Sequence, residues 1–290
     1  MKRMSNLAIC IVVIGLTVSA GAANADTHHF TGRVESADSV SIHYFTEGAG
    51  LPTLVFVHCW SCDGSYWQDQ IDFFAKDHRV VVIDLGGHGE SGLDRSEWTM
   101  AAYGADVAAV LREQDLEQVI LIGHSMGGAV VAEAAILEPE RVIGLVGIDN
   151  FQNVDMKLTE AQITGFEGAF KADFKATANG WVRSMFPAGS DEELVTAIAE
   201  DMSSAPPKVA ISSLVQLLHW YGGEAPARLE LLQAPLMCIN SDGEPTNTEA
   251  IKKVVPGYQL RLMPGRGHFL MREDPVTFNA LLAETIAEFE

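Results

Sequence analysis

A serine flanked by glycines is the part of this sequence that most directly indicates chemistry. Gly123-His124-Ser125-Met126-Gly127 has the pattern G-x-S-x-G, in which small residues leave room for a sharp backbone bend. An apolar run at residues 119–122 precedes the pattern, and an apolar stretch with helical spacing follows it. A strand that turns directly into a helix holds its middle hydroxyl above a sheet, near helix amides that favour negative charge. The pattern therefore predicts that Ser125 is a nucleophile.

A serine hydroxyl needs a base, and the order of the chain selects one of the nine histidines. The base of such a serine is expected late in the chain, after the last strand. His268 lies in Gly265-Arg266-Gly267-His268-Phe269, directly after the apolar run at residues 258–263. Glycines in this loop allow it to bring an imidazole back over the sheet. His268 is therefore the predicted general base.

Short apolar runs alternate with helical patterns on both sides of these two residues. Strands are predicted at residues 30–35, 40–45, 54–58, 80–84, 119–123, 142–148, 236–240 and 258–263. The first two indicate a hairpin, and the rest alternate with helices in the way that parallel sheets require. We expect an α/β fold with a mostly parallel eight-stranded sheet and helices on both faces.

The alternation stops at Asn150, and the next 80 or so residues contain helical patterns without a convincing strand. Residues 150–226 are therefore predicted to be a helical cap, inserted between core segments 26–149 and 227–290. The cap is rich in large apolar side chains, and a few of them are expected to line an apolar pocket. These side chains are Phe166, Phe170, Trp181, Met185, Phe186, Trp220 and Tyr221.

The first 25 residues have the features of a signal peptide. Lys2 and Arg3 form a positive start, residues 7–18 are apolar, and Ala23-Asn24-Ala25 is a small-x-small cleavage pattern. The apolar run is short for a bilayer span. We therefore expect a mature chain that begins near Asp26, is periplasmic or secreted, and keeps no stable membrane span.

The charge balance narrows the class of partner. The chain has 39 acidic and 19 basic residues, a formal net charge of -20, which argues against nucleic acids and anionic membranes. The sequence contains no metal-ligand spacing, no phosphate-binding loop and no nucleotide fingerprint, so neither a metal nor a cofactor is predicted. The expected partner is a small-molecule substrate, and the oligomeric state is left open.

Three cysteines remain after the predicted cleavage, which leaves at least one thiol unpaired within a chain. Cys59 and Cys62 have the C-x-x-C spacing of redox motifs. They follow a strand in a pattern unlike that of thioredoxins, so a redox function is not favoured. A local disulfide in an oxidising compartment is one alternative, and the redox state of the pair is left open.

Taken in order, these motifs resemble those of the α/β-hydrolase superfamily, in particular capped serine hydrolases of the esterase and lipase type. The resemblance covers essentially the whole mature chain and rests on four segments. They are Phe56-Val57-His58-Cys59-Trp60, Asp84-Leu85-Gly86-Gly87-His88-Gly89-Glu90-Ser91, Gly123-His124-Ser125-Met126-Gly127-Gly128 and Gly267-His268-Phe269. The resemblance implies attack of a serine on an ester-type carbonyl, an acyl-enzyme, and its release by water.

Two backbone N–H groups are implied by the same resemblance as the oxyanion hole, those of Met126 and Trp60. The sequence departs from the family pattern beside the second donor. Cys59 stands where the second residue of a His-Gly pair is usual. A cysteine would be strained there if the position requires a positive φ.

The third member of the triad is open among three carboxylates. Glu244 is nearest the usual slot, after the strand at residues 236–240, and Asp242 precedes it in the same loop. Asp149 ends the strand before the cap, where haloalkane dehalogenase-like relatives place their acid. We prefer Asp149, with Asp242 and Glu244 as alternatives.

The predicted function is that of an exported serine hydrolase acting on a small to medium apolar carboxylic ester, lactone or thioester. Haloalkane dehalogenases and epoxide hydrolases resemble the fold but have aspartate where Ser125 stands, so attack on an acyl carbon is favoured. The alternatives are a perhydrolase, a carbon–carbon bond hydrolase or a peptidase with the same triad, or a non-catalytic ligand-binding member of the fold.

Overall fold

The computed structural model describes residues 30–289, so the predicted signal peptide, residues 1–25, lies outside the described residues. Eight strands form one sheet. They are β1 (Phe30–Glu35), β2 (Ser41–Glu47), β3 (Thr53–Val57), β4 (Val80–Ile83), β5 (Val119–His124), β6 (Val142–Ile148), β7 (Leu236–Ser241) and β8 (Gln259–Met263).

The strand order confirms a mostly parallel eight-stranded sheet. The order is β1-β2-β4-β3-β5-β6-β7-β8, with β2 antiparallel to both β1 and β4 and every later pair parallel. The central strands β3, β4 and β5 are buried along their whole length and are almost entirely Val, Ile, Leu and Phe. Continuous apolar strands of this kind are what a parallel sheet covered on both faces requires. The edge strand β8 is more exposed and carries Gln259 and Arg261.

Eleven α-helices occur within residues 30–289. They are α1 (Gln68–Phe74), α2 (Met100–Glu113), α3 (Met126–Leu137), α4 (Glu160–Ala172), α5 (Phe174–Arg183), α6 (Glu192–Met202), α7 (Pro207–His219), α8 (Ala225–Leu229), α9 (Thr248–Val254), α10 (Leu270–Glu273) and α11 (Pro275–Ile286). None of the helices described is both long and apolar enough to cross a bilayer.

Proline and polar residues mark the starts of several helices. Pro207 is the first residue of α7. A proline is favoured there because N–H groups in the first turn of a helix have no intrahelical acceptor, so the missing N–H costs no hydrogen bond. Thr159 and Gln162 form a reciprocal capping box at the start of α4. A short 3-10 turn, Gly64–Trp67, precedes α1, and its cap is Asp63, whose carboxylate accepts from the Ser65 N–H.

A buried carboxylate joins the helices between β6 and β7 to α3, the helix that follows Ser125. Glu133 of α3 is 2% exposed and accepts hydrogen bonds from the Trp220 indole at 2.8 Å and the Arg228 Nε at 2.9 Å. A buried charge is tolerated when it is paired and hydrogen-bonded. This contact joins the end of the α7 region to the helix that follows Ser125.

Candidate active site

Ser125 occupies the bend between β5 and α3. Its φ is 53° and its ψ is -115°, a conformation that costs a non-glycine residue about 1–3 kcal/mol. The flanking glycines are required by contact distance. A Cβ at Gly123 would lie 2.3 Å from the Gly127 carbonyl oxygen, and one at Gly127 would lie 2.5 Å from that of Val57. The bend is held in addition by the Ser125 N–H, which donates to the Ile148 carbonyl at 2.9 Å.

Ser125 and His268 line the same cavity, of about 190 Å³. Ser125 is at the start of a helix, and His268 comes from the loop after β8, far later in the chain. The β5 and β8 ends reach one edge of the sheet because both strands run in the same direction. Parallel pairing therefore brings the two residues to one cavity.

The imidazole of His268 is held by a carboxylate. Its Nδ1 lies 2.6 Å from Oδ2 of Asp149, and Oδ1 of Asp149 accepts from the Ser241 N–H at 2.8 Å. Asp149 is 6% exposed. Burial favours its neutral form, but the hydrogen bond and charge of His268 and the Ser241 N–H together lower its pKa below the ordinary value. An ionised Asp149 that accepts from Nδ1 leaves Nε2 of His268 able to take a proton.

The backbone of Asp149 is itself strained, with a φ of 45°. Two amide side chains support it. Asn150 donates through Nδ2 to the Gly123 carbonyl at 3.0 Å, and Asn240 donates through Nδ2 to the Asn150 carbonyl at 3.0 Å. Asn150 and Asn240 thus tie the ends of β5, β6 and β7 together beneath the site. Sequence reasoning did not single out Asn150 or Asn240 as support, because nothing in the local pattern marks them.

The two remaining candidate acids are placed differently. Oδ1 of Asp242 accepts from the Gly265 N–H at 2.8 Å and so shapes the loop before His268. Glu244 is exposed and lines both the Ser125 cavity and a neighbouring cavity of about 430 Å³ that also contains His268. The carboxylate hydrogen-bonded to His268 is that of Asp149.

The main chain of His268 is fixed from two sides. Nε2 of His124 lies 2.8 Å from the His268 carbonyl oxygen, and the two rings are 4.7 Å apart. Burial is the main cause that lowers the pKa of His124 to about 3, and the nearby charge of His268 lowers it further. The His124 ring is therefore neutral, and its Nε2–H donates to the His268 carbonyl. From the other side, the His268 N–H donates to the Met185 carbonyl at 3.1 Å. Sequence reasoning missed His124 as a support, although its place beside Ser125 was a signal.

The proposed oxyanion donors come from two elements that touch. Met126 is the first residue of α3, so its N–H lies outside the helical ladder. Trp60 lies in the loop that follows β3. The first turn of α3 packs against the end of β3, where Gly127 closely approaches the Val57 carbonyl.

The backbone strain that the sequence suggested at Cys59 is found at Ser61 instead. Cys59 does not have a positive φ, whereas Ser61 has a φ of 56°. Cys59 and Cys62 form a disulfide, and Cys238 is a buried free thiol.

Two further histidines of the family motifs, His58 and His88, are buried and bind backbone carbonyls of their own loops. Nδ1 of His58 contacts the Cys59 carbonyl at 2.8 Å, and Nδ1 of His88 contacts the Gly86 carbonyl at 3.1 Å. Burial lowers the pKa of both, that of His88 to about 3. Neutral, buried imidazoles bound to carbonyls hold loop shape rather than exchange protons.

Comparison with known proteins places the chain among hydrolases. It is similar to a pimeloyl-[acyl-carrier protein] methyl ester esterase of Aeromonas hydrophila, with 28% identity over 68% of this chain and 70% of that protein. It is also similar to a non-heme chloroperoxidase of Streptomyces lividans, with 40% identity over 38% of this chain and 41% of that protein. The match spans less than half the length of several curated relatives.

The likeness extends to solved structures. Est816, described as an N-acyl homoserine lactone degrading enzyme, superposes with a TM-score of 0.75 and 26% identity, over 87% of this chain and 99% of that one. The model of the alpha/beta hydrolase family matches residues 54–281, a range that includes Ser125, Asp149 and His268. This chain therefore belongs to the alpha/beta hydrolase family.

Proposed function

We propose that this chain is an exported serine hydrolase that cleaves small to medium apolar carboxylic esters, lactones or thioesters through an acyl-enzyme on Ser125. The observation that carries the proposal is the arrangement around one cavity. Ser125 and His268 line it together, and the carboxylate of Asp149 is 2.6 Å from Nδ1 of His268. A strained serine, an imidazole and a buried carboxylate in this order are the parts that acyl transfer requires.

In the proposed reaction the proton of the Ser125 hydroxyl passes to Nε2 of His268 as Oγ attacks the acyl carbon. The carbonyl electrons move to oxygen, where the N–H groups of Met126 and Trp60 stabilise the negative charge. Collapse of the intermediate breaks the bond to the leaving group, which takes the proton from His268. A water then repeats the sequence and releases the acid. Asp149 remains ionised throughout and stabilises the imidazolium.

The cavity beside Ser125 supports a short acyl group. Its volume of about 190 Å³ corresponds to roughly six water-sized groups at ~30 Å³ each. Met156, Leu217 and Tyr221 give it an apolar wall, while Gln152 and Asn153 add amides. This wall suits a short alkyl chain that carries one polar group. A lactone is included in the proposal because Est816, at 26% identity, is described as degrading N-acyl homoserine lactones.

A perhydrolase is the second candidate, and the similarity to the non-heme chloroperoxidase favours it over a peptidase or a carbon–carbon bond hydrolase. In that reaction hydrogen peroxide replaces water in attacking the acyl-enzyme. The products are a peracid and the free serine. Both reactions use the same acyl-enzyme, so the competing nucleophile distinguishes them.

Export is proposed from residues 1–25 alone. We expect chains recovered from the periplasm or the medium to begin near Asp26, as N-terminal sequencing would report. Full-length chains that remain in the cytoplasm would contradict this part of the proposal and leave the hydrolase part untouched.

The hydrolase proposal is tested with p-nitrophenyl esters of increasing acyl length, from acetate to decanoate. We expect activity to be highest for chains of about two to six carbons, and Ser125→Ala to abolish it. A fluorophosphonate probe is expected to label the wild type and not Ser125→Ala. Labelling at another residue, or equal turnover by both proteins, would refute the role of Ser125. Adding hydrogen peroxide and measuring peracid against free acid decides between hydrolysis and perhydrolysis.

A further inference from the structure

The turn after β3 carries a covalent cross-link around a proposed oxyanion donor. Cys59 and Cys62 are joined by a disulfide, and Trp60 and Ser61 are the two residues between them. The Cys62 N–H also donates to the Cys59 carbonyl at 3.3 Å. The four residues therefore form a closed turn, here called the Cys59–Cys62 turn.

The side chain of Trp60 is fixed by the helices that lie between β6 and β7. Its indole N–H donates to the Ala210 carbonyl of α7 at 2.7 Å. Its ring contacts those of Phe170, Phe174 and Trp181, with centroids 5.3 to 6.2 Å away. These contacts fix the side chain but leave the direction of the Trp60 N–H to the main chain of the turn.

The main chain of the turn is held in a conformation that its residues do not favour. Ser61 has a φ of 56°, in the region that favours glycine, and its buried hydroxyl has no hydrogen-bond partner among the described residues. A residue in this state relaxes unless its surroundings prevent it. The disulfide spans Ser61 on both sides and limits the conformations open to the turn.

We propose that the Cys59–Cys62 disulfide positions the backbone N–H of Trp60 as the second oxyanion donor, so that full activity requires the closed bond. The inference rests on the proposed function. In this proposal the Cys59–Cys62 bond contributes to stabilisation of the transition state. Substrate binding depends on the cavity walls and not on the bond.

Opening the bond has a defined chemistry. A dithiol such as dithiothreitol supplies two electrons and two protons, the Cys59–Cys62 bond breaks into two thiols, and the dithiol closes into its own disulfide. Cys62 is 3% exposed and lines a cavity of about 290 Å³, which is the side from which a small reductant would approach the bond. The oxidised form is expected in the compartment to which export would deliver the chain.

The test compares Cys59→Ser, Cys62→Ser and the double variant on one p-nitrophenyl ester. Loss of an oxyanion donor lowers kcat by about 100- to 1000-fold, and a misplaced donor should lose part of that. We expect a fall of about 10- to 100-fold in kcat with KM within about twofold. Because either substitution breaks the bond, all three variants should show the same loss. Unchanged kcat, or losses that multiply in the double variant, would overturn the proposal.

Reduction of the wild type gives a second measurement that needs no substitution. Dithiothreitol should lower kcat by the same factor, and reoxidation should restore it. The double variant is the matched control, since it lacks the bond but keeps Cys238, and its activity should not respond to the reductant. This arm decides the question if the serine variants fold poorly. A wild type whose kcat is unaffected after thiol counting shows complete reduction would refute the inference.

A trifluoromethyl ketone inhibitor separates oxyanion binding from general loosening of the site. It forms a hemiketal oxyanion on serine, so its Ki should rise with the loss of kcat/KM, while the Ki of a non-reactive ester analogue stays within about twofold. An equal rise in both would overturn the positioning role. If the oxidised wild type neither turns over esters nor labels at Ser125, it is the proposed function that fails instead.

Discussion

Nδ1 of His268 lies 2.6 Å from Oδ2 of Asp149, a carboxylate that follows β6. The usual family slot lies after β7, where Asp242 binds the Gly265 N–H instead. The Asp149 carboxylate also accepts a hydrogen bond from the Ser241 N–H at the end of β7. One buried carboxylate therefore connects β6, β7 and the loop after β8. The proposed acid is therefore part of the framework that holds the site as well as a partner of the base.

Asp149→Asn is expected to lower kcat by about 10³- to 10⁴-fold, because an amide favours the wrong tautomer of His268 and does not stabilise its charged form. Asp242→Asn and Glu244→Gln are the matched controls and should stay within about threefold on a neutral ester. The measurement is kcat on p-nitrophenyl butyrate for the three variants. A large loss in either control, with Asp149→Asn nearly active, would assign the acid to the loop after β7.

His124→Ala is expected to lower kcat by about 10-fold, with a smaller change in KM. The substitution removes the donor that holds the His268 carbonyl at 2.8 Å, so the imidazole is less well positioned. His124→Gln keeps an N–H at a similar distance from the main chain and should restore most of the activity. Equal losses in both variants would show that ring packing, and not the hydrogen bond, is what matters.

Acid is expected to destabilise the fold through its buried histidines. Burial lowers the pKa of His88 and His124 from 6.5 to about 3, so between these values the unfolded chain binds protons that the folded chain does not. The free energy of unfolding should therefore fall as the pH drops below 6.5, by about 1.4 kcal/mol per pH unit for each group.

Urea unfolding at pH 7.5, 6 and 5 measures this slope. His88→Asn keeps a donor near the Gly86 carbonyl but does not titrate, so its stability should depend less steeply on pH. A variant slope equal to that of the wild type would show that His88 is not the source of the acid sensitivity.

Glu244 is expected to disfavour anionic substrates. It lines both cavities beside His268. The larger cavity also contains Arg266, whose guanidinium is already paired with Asp274 at 2.9 Å. Repulsion at an exposed site is about 1 kcal/mol and is screened by salt. Glu244→Gln should raise kcat/KM about 3- to 10-fold for an ester with a terminal carboxylate and leave a neutral ester of equal length unchanged.

Salt provides the control for that comparison. Raising the ionic strength from 0.02 to 0.5 M should reduce the difference between wild type and Glu244→Gln on the anionic ester. A difference that persists in high salt would indicate a steric effect of Glu244 and not its charge. Asp242→Asn removes a neighbouring charge outside the cavity lining and should change the ratio of the two substrates little.

Much of the fold could be predicted from the sequence because its signals are local. The eight apolar runs and the helices between them were recognisable from their period and from their turns. The short helices α8 and α10 were not predicted, since four or five residues carry too little pattern. The break in the alternation after β6 predicted an inserted helical segment, and helices α4 to α7 occupy that part of the chain.

The sequence by itself determined which residue types could react and where the chain must bend. The bend at Ser125 needs its flanking glycines because a Cβ at either position would meet a backbone carbonyl within 2.5 Å. Tertiary structure alone decided which carboxylate reaches His268, because Asp149 lies 119 positions away and is brought there by strand order. It also decided that His124 supports the His268 loop and that Ser61, not Cys59, has the positive φ. These outcomes depend on contacts between distant segments, and no local spacing specifies them.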